Sequence, residues 1–415
     1  MTVFTQQNGQ LFCEQVALAD VQQQYGSPTY VYSRKAITEA FEAYKAGLGN
    51  HPGLICYAVK ANSNIAVLQV LAELGAGFDI VSQGELERVL AAGGDASKVV
   101  FSGVAKRPQE MRRALEVGIH CFNVESRAEL EVLAAVAAEE GKVAPVSLRV
   151  NPDVDAKTHP YISTGLKENK FGVDIDEAIE HYKWAAAQAS LKVVGVDCHI
   201  GSQLTEAQPF FDAQARVLNL VDTLAENGIE LEHVDMGGGI GVRYENDDTP
   251  PNITESVQQM IANLGERKLG LLLEPGRSIV ANAGALLTEV IYLKSTEAHN
   301  FAIVDAAMND MIRPALYQAW MEILPVQAAK VAAKEYDVVG PVCETGDFLG
   351  KKRTLAIEQG SVLAMLSAGA YGFVMASNYN TRGRAAEVMV DGAQVHLIRE
   401  RETVESLFAG EHRLG

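Results

Sequence analysis

Short runs rich in Val, Ile, Leu and aromatic residues recur from residue 54 to residue 274, each followed by a longer stretch with apolar positions three and four apart. The runs are 54–60 (LICYAVK), 77–82 (GFDIVS), 98–102 (KVVFS), 119–125 (IHCFNVE), 146–151 (VSLRVN), 193–200 (VVGVDCHI), 231–236 (LEHVDM) and 269–274 (LGLLLE). Between them, segments such as 85–92, 127–140 and 210–227 carry Ala, Leu and Glu at helical spacing. Strands alternating with helices imply parallel βαβ units. Eight such units in roughly 250 residues predict a (β/α)8 barrel of the TIM type.

The strand registers sharpen this expectation. One face carries Cys56, Ala58, Lys60, Gly77, Asp79, Cys121, Asn123, Ser147, Arg149, Asp197, His199, His233, Asp235, Leu272 and Glu274. The other carries Ile55, Tyr57, Val59, Phe78, Ile80, Phe122, Val124, Leu148, Val150, Val194, Val196, Leu271 and Leu273. Side chains alternate across a strand, so the apolar set suits packing on outer helices and the small or polar set points into the barrel. A buried polar face needs partners, and a ligand is one way to supply them.

After Arg277 the helical periodicity fades. Runs at 286–294, 301–305, 331–339, 361–366 and 387–399 are mostly strand-like and predict a second, mostly antiparallel β domain, a sandwich or barrel. Residues 1–30 hold short strand-like pieces (GQLFCE, PTYVY) and no long helix, and are expected to join it. The expected division is a barrel over 31–277 and an all-β domain from 1–30 plus 278–415.

Composition narrows the class. With 48% hydrophobic residues the chain can build a sizeable core, and no uncharged apolar window is long enough to cross a membrane. The N-terminus lacks the basic-then-apolar order of a signal peptide. Five cysteines without CxxC spacing suit a reducing cytoplasm and argue against a disulfide framework or zinc knuckle. A net charge of −18 disfavours nucleic acid and anionic membrane as partners. No His/Asp cluster reads as a metal site, so no metal is expected.

Lys60 ends the first run, inside YAVKAN. On an inward face it reads either as a salt-bridged barrel lysine or as a lysine that forms a neutral imine. Gly237–Gly239 follow the seventh run, and Glu274–Arg277 (EPGR) close the eighth. A lone GGG is more often a flexible turn, but the loops after strands 7 and 8 are where such barrels commonly bind phosphate. There Gly238, Gly239 and Gly276 offer amides, and Arg277 a fixed charge. Glu274 beside a phosphate site needs a cation: either a barrel Arg149 or Lys60, or the protonated pyridine nitrogen of pyridoxal phosphate. His199, in HIGSQ, is more often structural, although a flat imidazole can stack on a cofactor ring; Ser202 lies three residues on. In the β domain, MIRPALY holds Arg313 and Tyr317, GPVCETGD holds Cys343 and Glu344, and AGAYG holds Tyr371. Cys343 also reads as a buried core cysteine, and Arg313 as a solvated surface charge.

In order and spacing, YAVKAN, GFDIVSQGE, RVNP, THPYISTGLKENKFG, HIGSQ, DMGGGIG, EPGR, MIRPALY, GPVCETGD and AGAYG resemble the diaminopimelate decarboxylases, within the ornithine/diaminopimelate/arginine decarboxylase family of alanine-racemase-like pyridoxal phosphate enzymes. The resemblance covers essentially the whole chain. It implies decarboxylation of meso-2,6-diaminopimelate to L-lysine and CO2, the last step of lysine biosynthesis. Lys60 would carry pyridoxal 5'-phosphate as an imine, His199 would stack on the ring, and Glu274 would pair with its nitrogen. Ser202, the glycines through Gly239, Gly276, Arg277 and Tyr371 would hold the cofactor. Arg277, Arg313, Tyr317, Tyr371 and Glu344 would bind substrate. Cys343 would donate the proton from a neighbouring subunit of a homodimer, and 168–172 (ENKFG) would be a mobile loop over the site.

Independently of the resemblance, two arginines suit a substrate whose far end bears a carboxylate better than a simple diamine precursor. A carboxynorspermidine, ornithine, lysine or arginine decarboxylase, and a non-catalytic homologue that binds cofactor or a partner, stay open at this level. A metal-dependent hydrolase is disfavoured by the missing ligand cluster.

Overall fold

The computed structural model describes residues 3–154, 170–245, 247–297 and 299–415. The chain divides into two compact units, Met1–Thr38 with Arg243–Asp248 and Ile279–Gly415, and Glu39–Val242 with Thr249–Ser278. The division differs from the expected boundaries: 31–38 and 243–248 lie with the β-rich unit.

The second of these units is a closed barrel of eight parallel strands, Gly53–Ala58, Gly77–Ile80, Val99–Phe101, Cys121–Val124, Ala144–Asn151, Leu191–Asp197, His233–Asp235 and Gly270–Leu273. Each pairs with the next, and the eighth pairs with the first through Leu271–Leu273 and Gly53–Ile55. Closure removes the sheet edges. Helices return the chain between strands, and local sequence fixes several of their starts. Ser82 accepts the Glu85 amide at 3.2 Å while Glu85 Oε2 accepts the Val81 amide at 2.7 Å. Ser126 and Glu129 repeat the arrangement at the helix Arg127–Glu139. In each, the serine satisfies an amide the helix itself leaves unpaired, and the glutamate accepts the amide of the residue before the serine. Pro108 opens another helix and Gly118, at φ 73°, ends it.

The strands are shorter at their C-terminal ends than the apolar pattern predicts. The first stops at Ala58, and Lys60 lies in a 3-10 turn, Val59–Ala61. The sixth stops at Asp197 and the eighth at Leu273, so His199 and Glu274 follow their strands rather than end them. One facing expectation is also corrected. The ladder shifts between Val193 and Gly195, and Val194 packs inside the barrel with Cys56, Val100, Cys121 and Leu272. A bulge reverses the alternation on which the outward assignment rested. Beside it, a Cβ on Gly195 would lie 2.2 Å from His233 Nε2, so the imidazole occupies that side-chain space.

The β-rich unit is built around the twelve-residue strand Gly284–Ser295, which pairs with Thr29–Ser33, Asn300–Val304 and Val362–Leu366. Thr29–Ser33 is also parallel to Ala386–Val390. The core beneath includes Leu11, Val31, Leu287, Val326 and Val388. Run 387–399 is a hairpin, Ala386–Asp391 and Gln394–Arg399, rather than one strand. Gly392 at φ 61° makes the turn after Asp391, an Asp-Gly pair suited to reversal. Phe348–Leu355 is a strand, and Leu18–Tyr25 a helix, that the pattern did not resolve. Gly369 of AGAYG is dictated by packing within this unit: a Cβ there would lie 1.8 Å from the Val280 carbonyl oxygen.

Burial holds His233 neutral, its pKa lowered from 6.5 to about 3. The unfolded chain therefore takes up a proton first, and stability is lost as pH falls from 6.5 towards 3. Between pH 6.5 and 4.5 the loss from this residue is on the order of 2 kcal/mol. His233→Gln should show a correspondingly shallower acid dependence of its urea midpoint; an unchanged slope would remove His233 as a source of acid sensitivity.

Candidate active site

The C-terminal ends of the barrel strands gather most of the barrel residues singled out by sequence. Lys60 Nζ is 2.6 Å from Asp79 Oδ2; the lysine side chain is 38% exposed and the aspartate fully buried. Lys60 thus has a salt-bridge partner, Asp79, on the adjacent strand. Partial exposure leaves the amine within reach of an incoming carbonyl. Gly276 packs on the Lys60 turn: a Cβ on it would sit 2.9 Å from Ala61 Cβ and 3.0 Å from Ala58 Cβ. The Ala58 amide donates to the Pro275 carbonyl at 3.0 Å, so the lysine turn and the EPGR loop are joined by backbone.

Glu274 is 6% exposed and pairs with neither cation considered from sequence. Its Oε1 accepts Asn123 Nδ2 at 3.0 Å and Ser102 Oγ at 3.3 Å. Arg149 instead approaches Glu125, at 3.4 Å. Burial first, and the charges of Asp235, Asp79 and Asp197 next, push Glu274 well above the usual carboxylate range, while Lys60 opposes them. The carboxylate oxygens of Asp197, Asp235 and Glu274 lie within 4.8 Å of one another. The sequence reading expects no such cluster. Asp197 and Asp235 end two strands and Glu274 directly follows a third, and only the closed sheet brings them together. Glu85 was also missed; burial raises it to about 7.

The seventh-strand loop is anchored from below. Asp235 Oδ1 accepts the Gly237 amide at 2.8 Å, and the Gly238 amide donates to His199 Nδ1 at 3.2 Å. His199 is thus tied to the glycine loop. Burial, then Arg149 and Lys60, hold its pKa well below 6.5, so the ring is a neutral imidazole. Gly238 must be glycine because a Cβ would lie 2.2 Å from the Glu274 carbonyl oxygen. Arg277 Nε donates to Ser202 Oγ at 3.1 Å, joining the two phosphate-binding residues expected from HIGSQ and EPGR.

In the other unit, Arg313 opens the short helix Arg313–Tyr317, is 6% exposed, and lies over the Tyr244 ring at 4.6 Å. It is a buried cation, which excludes the solvated-charge reading. Tyr317 ends that helix and is half-buried. Cys343 is exposed, which excludes the core-cysteine reading. Its amide donates to Asn380 Oδ1 at 3.0 Å, and Glu344 accepts the Tyr379 hydroxyl at 2.6 Å. Asp347 braces the loop, accepting the Val342 and Met308 amides at 2.7 Å. Sequence reasoning missed Asn380 and Tyr379, whose only signal is the short polar run SNYNT. Tyr371 sits at φ 55° between small residues. Of the 168–172 loop, Glu168 and Asn169 lie outside the described residues. Gly172 donates to Glu125 at 2.9 Å.

These groups fit pyridoxal phosphate. A lysine beside a carboxylate can carry the carbonyl carbon, a buried glutamate awaits a cation, and an Arg–Ser pair flanks glycine turns at the same strand ends. The pyridoxal-binding domain of the pyridoxal-dependent decarboxylases matches residues 34–281, which sets the class. The relative from Pseudomonas aeruginosa, a diaminopimelate decarboxylase, is 63% identical over 414 residues, covering 100% of both chains. That from Vibrio cholerae is 59% identical over 98% of this chain and 97% of its own. Among solved structures, the diaminopimelate decarboxylase of Helicobacter pylori complexed with L-lysine is 43% identical, with TM-score 0.92 over 95% of this chain and 99% of that one. The enzyme from M. jannaschii is 38% identical, with TM-score 0.95 over 99% and 98%. The chain belongs to the diaminopimelate decarboxylase family, and its cofactor is pyridoxal phosphate.

Asn123→Ala removes the shorter of the two hydrogen bonds to Glu274. Losing one such charge-assisted bond is expected to weaken cofactor binding by roughly tenfold. Absorbance titration of the apo protein with pyridoxal phosphate checks this, and unchanged affinity would show that Asn123 does not support Glu274.

Proposed function

We propose that the protein decarboxylates meso-2,6-diaminopimelate to L-lysine and CO2, with Lys60 as covalent anchor of the cofactor and residues of the β-rich unit serving the substrate. The observation that carries this reading is the grouping of Lys60–Asp79, Glu274 and Arg277–Ser202 on one barrel whose chain matches these decarboxylases along its full length.

Pyridoxal phosphate, when bound, supplies a conjugated electron sink for the pair left by the departing carboxylate. The chain's residues do the rest. Asp79 keeps Lys60 oriented. Glu274 offers a carboxylate to the pyridine nitrogen, and a cation there draws its raised pKa back down. His199, neutral and held by Gly238, presents a flat face to the ring. Ser202, Gly238, Gly239, Gly276, Arg277 and Tyr371 hold the phosphate. The carboxylate to be lost must stand perpendicular to the ring plane, and holding the far end of the substrate fixes that angle. Arg313, with Arg277 and Tyr317, reads the distal carboxylate, and Glu344 the distal ammonium. The exposed Cys343 thiol delivers the proton that replaces CO2. Tyr371 also borders the substrate.

A buried arginine over Tyr244 favours a carboxylate-bearing substrate over ornithine, lysine or arginine, whose side chains end in cations. Among the described residues no helix is long and apolar enough to cross a membrane. We further propose a cytoplasmic homodimer with shared active sites.

With added pyridoxal phosphate, purified protein should release lysine from meso-diaminopimelate and turn over carboxynorspermidine, ornithine, lysine and arginine poorly. Preference for any of these four would overturn the substrate assignment. Lys60→Ala should lose activity by roughly 10³-fold or more, and Cys343→Ala by roughly 10²–10⁴-fold. Mixing the two inactive variants should restore part of the activity if subunits share sites; no recovery would count against sharing.

A further inference from the structure

The carboxyl group of Asp235 touches both ends of the cofactor-binding machinery. Its Oδ1 accepts the Gly237 amide at 2.8 Å, at the start of the glycine loop. Its Oδ2 is buried and has no hydrogen-bond partner among the described residues. Carboxylate oxygens of Glu274 and Asp197 lie within 4.8 Å of it and of each other. Asp197 Oδ1 is likewise buried and unpartnered among the described residues.

The groups facing this cluster come from around the barrel. Asp79 carries its charge to Asp235, Glu274 and Asp197, but is itself engaged by Lys60. Arg149 faces Asp197 and is engaged with Glu125. Cys56 and Cys121 are thiols pushed up first by burial and then by these same acids. Asn123 is a neutral donor. Three carboxyls in one dry pocket, with the nearby cations already engaged, cannot all be ionised. Donors decide where the charge stays. Glu274 receives two, from Asn123 and Ser102. Asp235 Oδ2 receives none, and a bare carboxylate oxygen without a donor is the costliest group to bury.

We propose that Asp235 is a positioning residue that works as a neutral acid: one oxygen fixes the glycine loop through Gly237, and the protonated other oxygen confines negative charge to Glu274. This rests on the reading that Glu274 faces the pyridine nitrogen. Burial, and then Asp79, raise Asp235 to about 7, against the Gly237 amide and the side chains of Glu274 and Asn123, which lower it; the assignment of the proton to Asp235 rests on Oδ2, unpartnered among the described residues. One side chain thereby couples the phosphate loop to the group that keeps the ring nitrogen protonated. A direct ladder bond supports that path, since the Glu274 amide donates to the Gly237 carbonyl at 2.7 Å.

The test compares Asp235→Asn, Asp235→Ala and Glu274→Gln as holoenzymes. Asparagine reproduces a protonated aspartate: its carbonyl can accept from Gly237 and its NH2 can donate towards Glu274. Pyridoxal phosphate affinity and the pH dependence of the bound cofactor's visible absorbance are read for each. Asp235→Asn should keep affinity within about threefold of wild type and leave the absorbance–pH profile in place. Asp235→Ala should weaken binding by roughly tenfold or more and shift the profile. Asparagine as damaging as alanine overturns the proposal, because aspartate would then act as an anion. Alanine indistinguishable from wild type overturns it too. If alanine does not fold, the asparagine comparison alone decides. Glu274→Gln should alter the profile by itself; an unchanged profile would refute the role of Glu274, and this proposal with it, while an altered profile leaves the Asp235 variants to judge Asp235.

Discussion

On the inward side of the closed barrel, Asp79, Asp197, Asp235 and Glu274 are withdrawn from water, and Lys60 and Arg149 stand among them already engaged. A bare carboxylate in such an interior is costly, so every one of these groups depends on a proton, a donor or a cation. Much of the site follows from that requirement. Asn123 and Ser102 are spent on Glu274, Asp79 on Lys60, and the Gly237 amide on Asp235. A positively charged heterocycle entering from the strand ends supplies what the cluster lacks. In the proposed reading the barrel's acidity suits a cationic ring, while the accompanying phosphate meets the positive charge of Arg277 and the hydroxyl of Ser202.

The β-rich unit follows a different logic. Its candidate groups sit on short, braced segments rather than strand ends. Arg313 is buried against an aromatic ring, and Cys343 rides on a loop fixed at Asp347, Tyr379 and Asn380. The proposed role of Cys343 as proton donor needs an accessible thiol, and Cys343 is exposed. An arginine that recognises a carboxylate gains from burial, since weaker hydration strengthens its hydrogen bonds.

Sequence periodicity located the barrel because alternation of short strands and helices is a strong local signal. It overran the strand ends at Lys60, His199 and Glu274, since the apolar alternation continues after the backbone has left the sheet. Those overruns fall at the functional rim, where the chain gives up ladder hydrogen bonds to aim side chains. The bulge at Val193–Gly195 and the Asp391–Gly392 turn were missed for the same reason: hydrophobicity alone does not record them. The stretches YAVKAN, HIGSQ and EPGR pointed to Lys60, Ser202, Glu274 and Arg277 because charged and polar residues there stand at the ends of apolar runs, and the fold gathers them at the strand ends of one barrel. The carboxyl cluster was not legible, because proximity of Asp197, Asp235 and Glu274 is a property of barrel closure. Asn380 and Tyr379 carry no signal beyond a short polar run, and only the fold shows that they brace Cys343 and Glu344.

The strand Thr29–Ser33 lies between Gly284–Leu287 and Ala386–Val390. On the ribosome it emerges first and must wait for partners encoded some 250 and 350 residues later. At about 5–20 residues per second its second neighbour arrives roughly 20–70 s after it does. The barrel, whose strands all lie between Thr29–Ser33 and Gly284 in the chain, can close during that interval. Thr29–Ser33, with Tyr30, Val31 and Tyr32 exposed in the meantime, is the segment that a nascent-chain chaperone would have to shield.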